Sequence, residues 1–282
     1  MEHKHKLGWV KDHRDERDYL YPTRKVAFLP DEVDLSSNLM SIRDQNGLGE
    51  CVGFGIMGNV TSTAKQLGAY TEWFSPDWAY AGARMIEGTL DEDSGAYPRD
   101  ALDFLLKNGC LLEHYHPFDE ELDTSNPLTW TNSLKALDWK IDEYQRCVDG
   151  IDGIKSALAD GHFVSIGVPW YESWFYPESD GSLPEDYSIV AGGHEVLVYG
   201  YSNSKQKLLV ANSWGKEWGV DGKCLIPYSA VENWKFDGGY DAHYVKCSWG
   251  SAPEPVVQKK YIALSKSVDS GATWKILLKV RV

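Results

Sequence analysis

No run of 18 apolar residues occurs anywhere in the chain, so nothing in it is long and apolar enough to be a transmembrane helix. The opening Met1-Glu2-His3-Lys4-His5-Lys6 leads into charge, and no secretory signal is expected there. A cytoplasmic location follows as the expectation, with release or association with an assembly as the variant. Positive charge is also short, because 28 Lys and Arg stand against 42 Asp and Glu for a formal net charge of −14. Nucleic acid, whose phosphates need a basic footprint, is therefore not an expected partner, and neither is a membrane. Cysteine is sparse: Cys51, Cys110, Cys147, Cys224 and Cys247 are an odd number at scattered spacings, with no C-x-x-C pair. At least one thiol must lie outside any intramolecular disulfide, and a reducing compartment suits all five. His114 and His116 would share a strand face but lack a matching ligand pair. Asp91-Glu92-Asp93 lacks the calcium-loop ligand series, so no metal or cofactor is expected.

What the chain does have is enough apolar residue, 43% of 282, to bury a sizeable core in one large domain or two lobes. Residues 1–30 form a charged arm whose run from Lys11 to Asp18 mixes both signs and reads as a solvated face. Tyr19, Leu20, Tyr21, Phe28 and Leu29 give this arm something with which to dock on the body. From about residue 40 to 150 the text is mainly helical. Ser75-Pro76-Asp77 looks like a helix start, Pro98 to Asn108 repeats the pattern with Gly109 as its stop, and Asp152 to Asp160 is a third helix. From about 151 to 230 the period changes. Phe163–Ile166, Val196–Tyr199 and Leu208–Ala211 read as buried strands of a barrel or covered sheet. Ala252-Pro253-Glu254-Pro255 reads as a linker to a hairpin within 251–282. One Asp-box-like turn, Ser267 to Trp274, lies in it and reads as a local turn motif, with docking on a larger assembly as the alternative role for that tail.

The chemistry begins at Asp44–Phe54. Thiolate is the reactive form of cysteine, and unpaired N–H groups in the first turn of a helix lower its pKa. Gly47 and Gly49 supply a turn ahead of Cys51, and Val52, Phe54, Ile56, Met57 and Val60 supply the apolar body of a buried helix ending near Gly68. Its glycines, Gly53, Gly55 and Gly58, each cost about 1 kcal/mol of helix propensity, so packing must hold it. Taken alone, Cys51 reads first as an inert core residue, the commonest fate of a free cysteine. A thiol hydrolase also needs an imidazole, a group to orient it and donors for the oxyanion. Gly192-Gly193-His194 places a histidine at the mouth of a strand, Asn212-Ser213-Trp214-Gly215 offers an amide and a shielding indole, and Gln45 offers a side-chain N–H beside that of Cys51. His194 falls inside the spacing of about 130–150 residues found between such cysteines and histidines, and Asn212 slightly beyond it.

Gln45-x5-Cys51, Gly193-His194, and Asn212-Ser213-Trp214-Gly215 with Trp218-Gly219 together resemble the papain (C1) family of cysteine peptidases over residues 30 to 248. Leu7-Gly8-Trp9-Val10 with Arg17-Asp18-Tyr19, and Asp91 to Ala96, resemble its bacterial branch. The resemblance implies an α+β fold of two lobes, one helical and one an antiparallel β-barrel-like unit, with Cys51 and His194 on opposite walls of the cleft between them. Since family members often carry an inhibitory propeptide, the Met1–Pro30 arm is expected to lie on or near that cleft and to restrain activity. The resemblance also implies that Gly95 and Ala96 bind the substrate backbone two residues before the scissile bond. Tyr97, Pro98 and Gly167 would line the pocket for that residue and favour an apolar or aromatic side chain. Three positions depart from the family pattern: Leu48 replaces a disulfide cysteine, Val52 a tryptophan, and Glu50 a serine. A carboxylate at Glu50 is expected to disfavour the thiolate unless it points to solvent.

The expected function is a cysteine endopeptidase acting on peptides or proteins. Cys51 is the nucleophile, His194 the proton shuttle, Asn212 its orienting partner, Gln45 an oxyanion donor and Trp214 the shield. A transferase or amidase would use the same acyl-enzyme. The alternative from another class is a binding protein that retains the fold with little or no catalysis and docks through its C-terminal hairpin.

Overall fold

Helix α1, Cys51–Gln66, lies between two further helices and a sheet in this computed structural model, which describes residues 3–13, 15, 19–22, 29–234 and 239–249. It is buried on every face from Cys51 to Ser62, as expected for a helix with few charges and three glycines. Two further helices pack against it, α2 (Pro76–Glu87) and α3 (Pro98–Asn108). The Ser75 hydroxyl accepts the Trp78 N–H at 3.3 Å at the start of α2, with Pro76 in the first turn. Gly88 ends α2 in a left-handed conformation, and Gly109 follows α3 at φ 80°.

On its other side α1 packs against an antiparallel sheet of seven strands. These are β1 (Glu32–Asp34), β2 (Glu143–Arg146), β3 (Val164–Tyr171), β4 (Val190–Ser202), β5 (Lys207–Ala211), β6 (Lys223–Pro227) and β7 (Asp241–Lys246). The order is β2-β7-β3-β4-β5-β6, with β1 added to the far end of β4. The two remaining helices, α4 (Ile151–Ala159) and α5 (Tyr228–Trp234), complete the β part of the molecule. The fold is α+β as expected, but the sheet expected to be barrel-like does not close: among the described residues β2 and β6 are not paired with each other. Three strands also fall outside 151–230: β1 ahead of the helical stretch, β2 within it and β7 beyond the far limit of the expected β part; β2 and β7 are the two longer ones. Neither stood out in sequence because β2 is polar and only half-buried, and β7 begins with an aspartate. The hairpin and the Asp-box-like turn expected in 251–282 lie outside the described residues.

The sheet separates two cores. Along β4, Leu197 and Tyr199 face the helices, whereas Val196, Val198 and Tyr201 join Val164, Ile166 and Trp170 on the opposite face. Contact between α1 and β4 is closest at Gly55, where a Cβ would lie 2.5 Å from Glu195 Cγ. The glycine that weakens α1 as a helix is what admits it to the sheet.

Candidate active site

Cys51 is the first residue of α1, and its sulfur receives backbone N–H groups from Glu195 on β4, from Val52, and from Gly8 of the N-terminal arm. The Glu195 amide brings the sulfur to the strand that carries His194, the preceding residue, although Cys51 makes no hydrogen bond to His194. His194 Nε2 lies 2.8 Å from Asn212 Oδ1, which also accepts the Ser213 N–H at 2.8 Å. An amide oxygen only accepts, so Nε2 carries the proton and Nδ1 holds the lone pair. Among the described residues Nδ1 has no hydrogen-bond partner. Trp214 stacks on the imidazole at 4.6 Å and Trp170 meets it edge-on at 4.8 Å, so the histidine is wholly buried. Gln45 joins the two walls. Its backbone N–H donates to Ser213 O at 2.8 Å, and its Oε1 accepts the Ser213 hydroxyl at 2.6 Å. Its Nε2 donates to Leu48 O at 2.8 Å and to Lys6 O at 3.1 Å.

Lys6 and Gly8 belong to the arm, which threads the cleft. His3 stacks on Phe175 at 3.5 Å, and His5 stacks on Trp214 at 5.1 Å and meets Asp44 at 2.9 Å. Lys4 pairs with Asp44 and Lys6 with Asp93, each at 2.7 Å. Gly8 sits so tightly that a Cβ would lie 1.8 Å from the Gly49 carbonyl oxygen. Main-chain pairing then takes over: Ala96 N–H donates to Gly8 O, Val10 N–H to Ala96 O, and Trp9 N–H to Gly193 O, at 2.9, 3.0 and 3.0 Å. Trp9 enters a recess over Gly167 and donates its indole N–H to Asp241 Oδ2 at 3.1 Å. The two lysine pairs are largely exposed and contribute at most about 1 kcal/mol each. Trp9 is half-buried, and the apolar area it removes from water together with its indole hydrogen bond makes it the main apolar contact of this part of the arm.

With the arm in place the reactive pair is uncharged. Burial pushes the Cys51 thiol up to about 12, and burial lowers His194 to about 3 against the opposing bond from Asn212. Glu50 is not the threat that its position suggests. Its side chain turns toward α2 and hydrogen-bonds Asp77, and burial, with Asp77 beside it, raises its pKa well above the carboxylate range. It is a neutral carboxylic acid packed inside the helical part, neither solvated nor charged against the thiol.

A family model described as papain family cysteine protease matches residues 29–233. The chain belongs to the papain family. An uncharacterized peptidase C1-like protein of Acanthamoeba polyphaga mimivirus is 28% identical over 232 residues, covering 76% of this chain and 70% of that protein. The cathepsin B-like CP3 of Giardia intestinalis is 27% identical over 206 residues, covering 68% of this chain and 67% of its own. Across the curated relatives the chain spans 55–70% of their length. Among solved structures, xylellain, a cysteine protease from Xylella fastidiosa, superposes with a TM-score of 0.77 at 28% identity, over 87% of this chain and 98% of that one. Bromelain from Ananas comosus shares the fold at 20% identity and a TM-score of 0.60, over 78% of this chain and all of its own. This chain is a papain-family thiol peptidase.

Among the papain-type positions expected to bind substrate, Ala96 offers both backbone groups to the cleft, where the arm takes them. Gly95 does not, since its N–H is held by the Tyr80 hydroxyl at 3.1 Å. Gly167 floors the Trp9 recess, whereas Pro98 is buried in the first turn of α3 and the Tyr97 ring packs near His13 of the arm. Sequence reasoning missed Trp9, Glu195 and Asp241. A charged Glu195 inside the apolar run of β4 was a readable signal for a special site, but nothing in sequence ties it to Asp241, 46 positions away.

Proposed function

We propose that the chain is an endopeptidase in which Cys51 Sγ attacks the scissile carbonyl carbon and His194 moves the proton. On displacement of the arm, the thiol proton passes to Nδ1 and the thiolate attacks. The oxyanion is held by Gln45 Nε2 and the Cys51 N–H, and the imidazolium returns its proton to the departing amine. Water, deprotonated by Nδ1, then hydrolyses the thioester. Asn212 keeps the proton on Nε2 throughout, and Trp214 keeps water from that bond. The observation that carries this reading is the peptide carbonyl of Lys6 already seated on Gln45 Nε2, beside a cysteine and an Asn212-oriented histidine. The arm is not itself cut because it presents the Gly8 N–H, not a carbonyl carbon, to the sulfur.

The substrate is a peptide or protein, and the arm acts as a built-in inhibitor. A reducing compartment such as the cytoplasm is supported by five cysteines that are all buried and free of disulfides. No observation favours the retired-enzyme reading or an assembly role for 251–282.

Labelling of the full chain with a peptidyl epoxide, followed by mass spectrometry of Cys51, tests the proposal. Gly8→Leu, which cannot seat at the Gly49 carbonyl, should label and cleave peptides at least about tenfold faster than the native chain, and Cys51→Ala not at all. Equal labelling of Gly8→Leu and Cys51→Ala would exclude the mechanism.

A further inference from the structure

The register of the sheet places two carboxylates on either side of a missing side chain. Gly167 on β3 pairs with Glu195 on β4 and with Asp241 on β7, so the three form one row across the sheet with side chains directed to the same face. Glycine at the centre leaves a gap, and the Trp9 ring fills it. A Cβ on Gly167 would lie 1.9 Å from Trp9 Nε1 and 2.5 Å from Glu195 Oε2, so the indole N–H and the Glu195 carboxyl meet over the same atom.

The arm satisfies only half of this recess. Asp241 is well supplied, taking the Trp9 indole N–H at 3.1 Å, the Asp12 backbone N–H at 2.8 Å and Arg146 at 2.7 Å. Glu195 is wholly buried, and the Ser165 hydroxyl beside it favours its charged form but donates to His243 O at 3.3 Å, so neither carboxyl oxygen has a well-formed hydrogen bond among the described residues. A buried carboxyl without a donor costs several kcal/mol and is retained only where something else uses it. Two of the groups around Asp241, Trp9 and Asp12, leave with the arm. Glu195, Asp241, Arg146 and His243 stay. Arg146 is matched by Asp241, and His243 is held neutral, its pKa lowered to about 3 by burial with Arg146 and Arg99 nearby. Arg99 also stays and loses its contacts with Asp12 and His13 of the arm, and the group left in the vacated recess without a hydrogen-bond partner among the described residues is the Glu195 carboxyl.

We propose that Glu195 makes this recess a subsite for a cationic side chain, arginine above lysine, on the substrate residue that pairs with Ala96, two before the scissile bond. This rests on the endopeptidase reading and replaces the apolar or aromatic preference that the neighbouring residues suggest. Trp9 supplies a single donor, which Asp241 takes. A guanidinium supplies five in a planar fork, enough to reach Asp241 on one side of Gly167 and Glu195 on the other. While the arm is docked, burial beside Asp241 and Asp12 raises the Glu195 pKa well above its ordinary value, so the closed recess holds it as the neutral acid. Water entering with substrate lets it ionise against the incoming cation.

The test compares fluorogenic peptides that differ only at that residue, with arginine, citrulline, leucine or phenylalanine, on the full-length Gly8→Leu chain at pH 7.5. Citrulline keeps the shape of arginine and removes its charge, so the substrate series reads the charge preference and Glu195→Gln assigns it to that carboxyl. The expected kcat/KM for arginine exceeds those for citrulline and leucine by about tenfold or more, and the advantage disappears in Glu195→Gln. Epoxide labelling of Cys51 with cleavage of all peptides at similar rates, or a preference for leucine or phenylalanine, overturns the subsite and leaves the endopeptidase standing. Failure to label Cys51 and to cleave any member overturns both.

Discussion

The residue next to the nucleophile carries the largest change between what its type suggests and what its surroundings make of it. A charged Glu50 would oppose formation of the Cys51 thiolate, but its carboxyl is buried, hydrogen-bonded to Asp77 and raised well above its ordinary pKa. It has no charge to oppose the thiolate with. In the Gly8→Leu background, Glu50→Gln should therefore leave the pH profile of Cys51 alkylation by iodoacetamide in place. A downward displacement by one unit, about tenfold in thiolate at neutral pH, would mean that Glu50 is ionised in the working enzyme. The four positions Gln45, Cys51, His194 and Asn212 were legible in the sequence, because each requires a particular side chain at a distinctive spacing. The roles of Glu50 and Glu195 were not, because the charge of a carboxyl depends on burial, which one sequence does not state.

At the scale of elements, α1 and β4 meet through Gly55, and the arm meets the cleft through Gly8. Both glycines look like defects or flexible points in the sequence, and both are contact points. Gly55→Ala improves intrinsic helix propensity by about 1 kcal/mol, yet its Cβ would lie 2.5 Å from Glu195 Cγ. The net expectation, read by urea denaturation, is a loss on the order of 1–3 kcal/mol. A gain in stability would show that β4 yields easily at this point. Helices α1 to α4 were recoverable from caps, proline and apolar spacing. Strands β2 and β7 were not, since a half-buried or acid-led strand lacks the apolar run by which strands are read, and pairing between residues about 100 positions apart is decided by the rest of the sheet.

For the whole molecule, buried acids set the pH response. Burial raises Asp77 to about 7, Asp12 to about 8 and Glu87 to about 7, so between about pH 9 and 7 the folded chain takes up protons at sites where the unfolded chain, with carboxylates near 4, takes up none. The unfolded state binds fewer protons over that window, so stability rises as pH falls through it. The temperature of thermal unfolding should accordingly be higher at pH 7 than at pH 9, and the slope should be blunted in Asp12→Asn and Asp77→Asn. An unfolding temperature independent of pH across this range would mean that these carboxyls remain ionised in the folded protein.

By itself the sequence determined the family and the α+β class, and it singled out Gln45, Cys51, His194 and Asn212 for the proposed thiol chemistry, because nucleophile, base, orienting amide and oxyanion donor each demand a residue type in a fixed order. Only the tertiary structure decided which peptide occupies the cleft, in what protonation state the reactive pair rests, and which carboxylates flank Gly167. Those outcomes depend on exclusion of water and on strand register, both set by contacts between residues far apart in the chain.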